Sequence, residues 1–277
     1  MNYRHIYHAG NFADVFKHII LVTLINALRR KDSPFCFIDT HAGIGKYDLT
    51  SEAAQRSKEF EGGIQKILAE KNPPTGVSDY LQCIHAVNPN ASLRFYPGSP
   101  SIVHSLLRSN DRMILAELHS EDCAVLKKLF SSHPDVSVHH QDGYQSLKAF
   151  LPPKERRGLI LIDPPYENKD ELTQLPQRIY DALNRFKTGI FAIWYPIKNR
   201  LATTRFLTHL KQKIQCPILV AEMSIYPDDS NLHLNGCGVA IINPPWQVEE
   251  ELQNIVPWLW KTLSIKDQGR YLLNLLS

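Results

Sequence analysis

Cysteine is scarce and unpaired in this chain: Cys36, Cys83, Cys123, Cys216 and Cys237 form no C-x-x-C pair, and their number is odd. That pattern argues against a disulfide framework or a structural zinc, and points to a reducing, cytoplasmic setting. Long apolar runs are also missing. No stretch approaches the roughly 18 uninterrupted apolar residues of a membrane span, and the polar, aromatic N-terminus is unlike a signal peptide, so no membrane contact is expected. Charge of one sign is in short supply as well. A net charge of +3 permits contact with nucleic acid without demanding it. The clusters Lys148, Lys154, Arg156, Arg157 and Lys198, Arg200, Arg205, Lys211, Lys213 flank the segment of interest below, yet each alone reads first as solvated surface. No internal repeat or low-complexity tract is present.

What is there is an α/β pattern. At 277 residues, 43% hydrophobic and 21% charged, the chain is long enough for one large domain or one domain with an insertion. Short apolar runs at Phe35–Asp39, Met113–Glu117, Val136–His140, Leu159–Asp163, Gly189–Tyr195, Pro217–Met223 and Gly238–Asn243 read as seven strands. Several are apolar nearly throughout, as in strands buried on both faces of a parallel sheet, so a doubly wound, mostly parallel, Rossmann-like sheet is expected. Asn11 is placed to cap a first helix from Phe12 to about Arg30, with Val15, Phe16, Ile19, Ile20 and Thr23 at helical spacing. Between Tyr47 and Arg94 the pattern turns to polar helical segments without a convincing strand. Residues 47–94 therefore read as a helical subdomain inserted after the first strand, with 1–46 and 95–277 forming the main domain.

Four strand ends carry the chemistry. The first ends in Asp39-Thr40-His41-Ala42-Gly43-Ile44-Gly45, a small-residue turn that admits a ligand close to the backbone, with His41 inside it. Asp48 stands where a dinucleotide fingerprint needs its third glycine, which argues against a NAD-dependent oxidoreductase. The second strand ends in Glu117, placed to accept both ribose hydroxyls of a nucleoside or, alternatively, to cap a helix. The third is followed by Asp142-Gly143, which suits an adenine amine or an ordinary turn. The fourth, Gly158-Leu-Ile-Leu-Ile162, runs into Asp163-Pro164-Pro165-Tyr166, which looks like the signature of enzymes that methylate exocyclic amines from S-adenosylmethionine.

An exocyclic amine is a poor nucleophile because its lone pair is delocalised into the ring. The Asp163 carboxylate and the Pro164 carbonyl offer acceptors for its two N–H bonds and a destination for the proton that is lost. The two prolines hold those acceptors in place, and Tyr166 offers a surface on which a flipped base stacks. A strand-to-loop turn with a capping aspartate is the plainer alternative. A similar tetrad, Asn243-Pro244-Pro245-Trp246, comes three strands later and reads as a strand-to-helix connection at the far sheet edge, leading to a helix from about Val248 to Leu263. At the N-terminus, Tyr3-Arg4-His5-Ile6-Tyr7-His8-Ala9-Gly10-Asn11 is too aromatic for a disordered tail and suits a cover over the site, with Lys17 and His18 facing it from the first helix. His5 and His8 lack a ligand set, so no metal is expected.

With these residues assembled, the chain resembles, nearly end to end, the large-subunit ribosomal RNA adenine-N6 methyltransferase J family. The resemblance rests on Tyr3-Arg4-His5, His8-Ala9-Gly10-Asn11, Ala13-Asp14-Val15, Asp39-Thr40-His41-Ala42-Gly43, Tyr96-Pro97-Gly98-Ser99-Pro100, Asp163-Pro164-Pro165-Tyr166 and Trp194-Tyr195-Pro196. It implies a class I S-adenosylmethionine-dependent fold with a helical insertion, and methylation of one adenine of 23S ribosomal RNA. It further implies cofactor binding by His18, His41, Ser99, Glu117, Asp142, Gly143 and Asp163, with Asp163 also accepting the proton and Tyr3 meeting the RNA; the residues themselves add Gly43 to the cofactor turn, Pro164 and Tyr166 to catalysis, and Arg4 and Lys17 to RNA contact. A monomer is expected. A DNA adenine methyltransferase would share the chemistry; a non-catalytic RNA-binding protein would share the surface but not the need for Asp163.

Overall fold

Asn11 starts the fold. Its extended backbone places the side-chain oxygen to accept hydrogen bonds from the amides of Ala13 (3.0 Å) and Asp14 (2.9 Å), and helix α1 runs Phe12–Arg29. The structure is a computed structural model that describes residues 4–90, 92–168, 170–228, 230 and 234–276. In it every α1 residue from Phe12 to Ile25 is buried, which a helix lying on a sheet does not achieve unless something covers its outer side.

The strands are β1 (Cys36–Asp39), β2 (Lys46–Asp48), β3 (Phe95–Pro97), β4 (Arg112–Glu117), β5 (Val136–His140), β6 (Gly158–Ile162), β7 (Ile190–Ile197), β8 (Ile218–Ser224), β9 (Gly236–Ile242) and β10 (Arg270–Leu276). Eight of them form one sheet in the order β10-β8-β9-β7-β6-β1-β4-β5. β5, β4, β1, β6 and β7 are parallel, β9 runs antiparallel between β7 and β8, and β10 adds antiparallel to β8. All seven expected strands are present. The eighth, β10, carries no sign of two-sided burial because Tyr271, Leu272 and Leu275 on this edge strand stay exposed.

Alternation along the strands divides the core between two faces. Phe35 and Phe37 pack on the side of α1, α5 (Ser99–Leu106) and α10 (Val248–Leu263). Cys36 and Ile38 pack on the side of α7 (Gly143–Phe150), α8 (Glu171–Arg185) and α9 (Arg200–Lys213). Between β2 and β3 lie α2 (Glu52–Ser57), a 3-10 turn (Glu59–Gly62), α3 (Ile64–Ala69) and α4 (Thr75–Ala86), and buried Val77, Tyr80 and Ile84 join the α1 core. These helices, with α5 and α10, supply the outer cover that α1 needs. The stem of this segment differs from expectation: β2 and β3 pair antiparallel from Lys46↔Pro97 to Asp48↔Phe95. Three residues are too few to show a strand period in sequence.

The second tetrad also sits elsewhere than expected. β9 is an inner strand beside β7, not a far edge strand, but it runs antiparallel, so Asn243 emerges at the end of the sheet opposite Asp163. There its side-chain amide donates to Lys187 O (2.9 Å) and Gly189 O (2.8 Å), and the chain passes into α10 through buried Val248, Leu252, Ile255 and Leu259. Among the described residues no helix is long and apolar enough to cross a membrane.

Candidate active site

Parallel strands bring the carboxyl ends of β1, β4, β5 and β6 to one edge, where α1 and the N-terminal segment close over a cleft of about 370 Å³. His18, His41, Gly43, Ser99, Glu117, Asp142, Gly143, Asp163, Pro164, Tyr166 and Lys17 all line it. Arg4 does not, and Tyr3 lies outside the described residues.

The floor is the glycine turn. Gly43 has φ +61°, a left-handed backbone that favours glycine, and a Cβ there would lie 2.4 Å from the Tyr47 hydroxyl. A Cβ on Gly143 would lie 2.2 Å from Thr40 O, so only glycine lets α7 approach this turn. Asp39 is fully buried beneath, accepting from Ser99 Oγ (2.6 Å) and the His41 amide (3.1 Å); burial pushes its carboxyl up to about 7. Thr40 Oγ1 donates to Leu161 O (2.9 Å) and lies 2.8 Å from His41 Nδ1. Burial holds the His41 imidazole down at about 4, so it is neutral near pH 7.

The walls carry acceptors and donors in separate places. Glu117 Oε2 accepts the Gly43 amide (2.8 Å) and Oε1 the His119 amide (2.7 Å), while burial raises its pKa. Each oxygen keeps a lone pair for a further donor. Asp142 caps α7, its Oδ1 accepting from Tyr144 N (3.0 Å) and Gln145 N (2.9 Å). His18, 1% exposed, has Nδ1 2.8 Å from the Tyr96 hydroxyl, itself 3.1 Å from that of Tyr80; burial keeps this imidazole far below its usual pKa and hence neutral. A bare glycine turn, a carboxylate with lone pairs to spare and two neutral imidazoles fit a nucleoside with a diol and a polar arm.

Asp163 stands just past β6 and lines the cleft. Lys17 Nζ donates to its Oδ2 (2.5 Å) and also pairs with Asp14 Oδ1 (2.9 Å), whose Oδ2 meets His5 Nε2 at 2.8 Å. Burial opposes the charge on Lys17, yet the fields of Asp14 and Asp163 outweigh it and raise the ammonium well above its ordinary pKa. Lys17, expected to meet RNA, is only 5% exposed and contacts two carboxylates. Arg4 is exposed and paired with Glu121 and Asp122, each at 2.8 Å. Tyr166 takes φ +52°, donates its hydroxyl to Trp194 O (2.5 Å) and holds its ring 5.7 Å from that of Trp194.

Asp14, Asp39, Tyr96 and Trp194 were not singled out from sequence as site residues. Asp14 had a usable signal: it stands three residues before Lys17 and four before His18, on one face of α1. Outside the cleft, the metal-capable side chains of His104, His133 and Asp135 come within 4.8 Å of one another.

Comparison with known proteins places these features in a family. A family model described as ribosomal RNA large subunit methyltransferase D, RlmJ, matches residues 32–276. The ribosomal RNA large subunit methyltransferase J of Escherichia coli is 41% identical over 95% of this chain and 94% of its own length. That of Haemophilus influenzae is 40% identical over 98% and 97%. A crystal structure of a Legionella pneumophila protein superposes with a TM-score of 0.89 at 37% identity, covering 96% of this chain and 98% of that one.

Proposed function

The chain belongs to the ribosomal RNA large subunit methyltransferase J family and is an S-adenosylmethionine-dependent methyltransferase of the class I fold; we propose that its cleft methylates the N6 amine of one adenine in 23S ribosomal RNA at Asp163-Pro164-Pro165-Tyr166. When bound, S-adenosylmethionine supplies an electrophilic methyl on a sulfonium, a leaving group that needs no metal to activate it. His18, His41, Gly43, Ser99, Glu117, Asp142 and Gly143 would hold it. Ser99 gives its proton to Asp39 and so faces the ligand as an acceptor, and Glu117 uses its remaining lone pairs on the ribose hydroxyls.

The observation that carries the reading is the asymmetry of Asp163. Its Oδ2 is fixed by a buried lysine, while Oδ1 has no hydrogen bond among the described residues, and the residue lines the cleft. Lys17 thereby orients the carboxylate, so that Oδ1 and the Pro164 carbonyl draw the N6 hydrogens to one side, and the proton lost from nitrogen is taken at Oδ1. The base must leave its stack to arrive there, and Tyr166 with Trp194 forms the aromatic wall that receives it. Arg4 exchanges its acidic partners on α6 (Ser120–Leu129) for RNA phosphate, and Tyr3 meets the RNA as well. The helical segment 47–94 acts as an inserted subdomain, and the protein works as a monomer in the cytoplasm.

Transfer of labelled methyl from S-adenosylmethionine to unmodified 23S ribosomal RNA, followed by nucleoside mass spectrometry, tests this. Label in N6-methyladenosine is expected; label confined to duplex DNA replaces the substrate, and no transfer to either overturns the assignment.

A further inference from the structure

His18 and His41 are both neutral and both line the cleft, but their inner hydrogen bonds put the ring proton on opposite nitrogens. The assignment follows from counting protons. Tyr80 and Tyr96 are 0% exposed, and among the described residues the Tyr80 hydroxyl has Tyr96 as its hydrogen-bond partner. If His18 Nδ1 carried the proton and donated to Tyr96, Tyr96 would donate to Tyr80, and the Tyr80 proton would be buried with no acceptor. An orphaned buried donor loses its hydration and gains no bond in return. In the other direction every proton is used: Tyr80 donates to Tyr96, Tyr96 donates to His18 Nδ1, and Nε2–H is left over. At His41 the count reverses. The one Thr40 hydroxyl proton goes to Leu161 O, so the 2.8 Å contact requires His41 Nδ1 to donate, leaving Nε2 as a bare acceptor.

We propose that the chain Tyr80–Tyr96–His18 is a tautomer lock that presets His18 as an Nε2–H donor for the carboxylate of the bound cofactor, with Tyr96 and Tyr80 acting as positioning residues. The idea deepens the methyltransferase reading and rests on it for the identity of the ligand. A donor held in place faces an acceptor, and the carboxylate of the methionine arm is the formal anion on S-adenosylmethionine. Tyr80 lies on α4, within segment 47–94, so a helix outside the Rossmann-like core sets the chemistry of a residue inside it. His41, with a free Nε2 lone pair, suits a donor on the ligand and serves as an internal control of opposite sign.

Long-range ¹⁵N–¹H NMR of the cofactor-free protein reads both tautomers directly. His18 is expected with its proton on Nε2 and His41 with its proton on Nδ1. Tyr96→Phe leaves the Tyr80 hydroxyl orphaned and is liable to unfold, so the working variant is Tyr80→Phe with Tyr96→Phe, which removes both hydroxyls together. In it Nδ1 loses the hydrogen bond it accepts and the ring loses its anchor, so the His18 Nδ1 nitrogen resonance shifts towards that of an unbonded acceptor while His41 is unchanged. Affinity for S-adenosylhomocysteine, by calorimetry, falls roughly ten- to a hundredfold, as for one hydrogen bond to a charged group. Affinity for 5′-methylthioadenosine, which lacks the amino-acid arm, stays within about twofold. A wild-type His18 protonated on Nδ1, or an Nδ1 resonance unmoved in the double variant, overturns the lock; equal effects on the two ligands overturn the carboxylate assignment. Failure of the methyltransferase reading itself would show as absent methyl transfer to RNA with the NMR result intact.

Discussion

At the scale of residues, the site works by holding charges where water would not leave them. Lys17 compensates Asp14 and Asp163 at once, and breaking such a buried set by removing one partner leaves an uncompensated charge. Lys17→Met is therefore expected to lower kcat for RNA methylation by at least a hundredfold and to destabilise the fold by a few kcal/mol, read by single-turnover kinetics and urea unfolding. Asp163→Ala should abolish turnover while cofactor affinity stays within about tenfold, because the carboxylate acts mainly on the amine; equal loss of both would assign it to cofactor binding instead. Asp39 gives a pH signature. Its folded carboxyl titrates at about 7 against an ordinary 3.8, so its contribution is complete below 3.8 and is lost as pH rises towards 7, roughly 4 kcal/mol in all. His41 runs the other way: with its folded pKa at about 4, its contribution is present above about 6.5 and lost as pH falls to 4. The two oppose each other between pH 4 and 6.5. Asp39→Asn should unmask the histidine, so that unfolding free energy drops as pH falls through that window more steeply than in the wild type. Parallel curves would mean that Asp39 is not held neutral.

At the scale of elements, the decisive contact is α7 against the turn after β1. Asp142 and Gly143 read from sequence as possible ligand contacts; the structure adds that Gly143 is also a spacer, since a Cβ would strike Thr40 O and come within 2.9 Å of His41 Nε2. Gly143→Ala is expected to push α7 outward, cost on the order of 1–3 kcal/mol in thermal or urea unfolding, and weaken cofactor binding more than it weakens the fold. Normal cofactor affinity in a folded variant would show that the turn adapts. Strand ends were legible in sequence because both faces of β1, β4, β6 and β7 are largely buried, and an apolar run followed by a glycine or an acid stands out. β2 and β10 were not, the first because it has three residues and the second because it is an edge strand with exposed leucines.

At the scale of the molecule, segment 47–94 serves the stability of α1 as well as covering it. Val77, Tyr80 and Ile84 complete the burial of a helix whose residues from Phe12 to Ile25 are all withdrawn from water. Because β2 and β3 pair at Asp48↔Phe95, the ends of the segment are adjacent and a short turn can join them. Replacing residues 49–94 by such a turn is expected to yield a chain without a cooperative thermal transition, since an apolar face of α1 would be left bare. A folded product would mark the segment as an autonomous appendage.

The sequence by itself determined the alternation of strands and helices, the capped start of α1 and the order glycine turn, acid, Asp-Gly, Asp-Pro-Pro-Tyr along the carboxyl edge. These are local properties, written in periodicity and in residues whose backbone preferences are fixed. Tertiary structure decided which of two similar tetrads faces the cleft, because the antiparallel insertion of β9 sends Asn243 to the opposite end of the sheet. It also decided that Lys17 serves Asp163, 146 positions away, and that Tyr80 and Tyr96 reach His18. Such partners are set by how helices stack on a sheet, and no spacing along the chain records the distance between a lysine on α1 and an aspartate beyond β6.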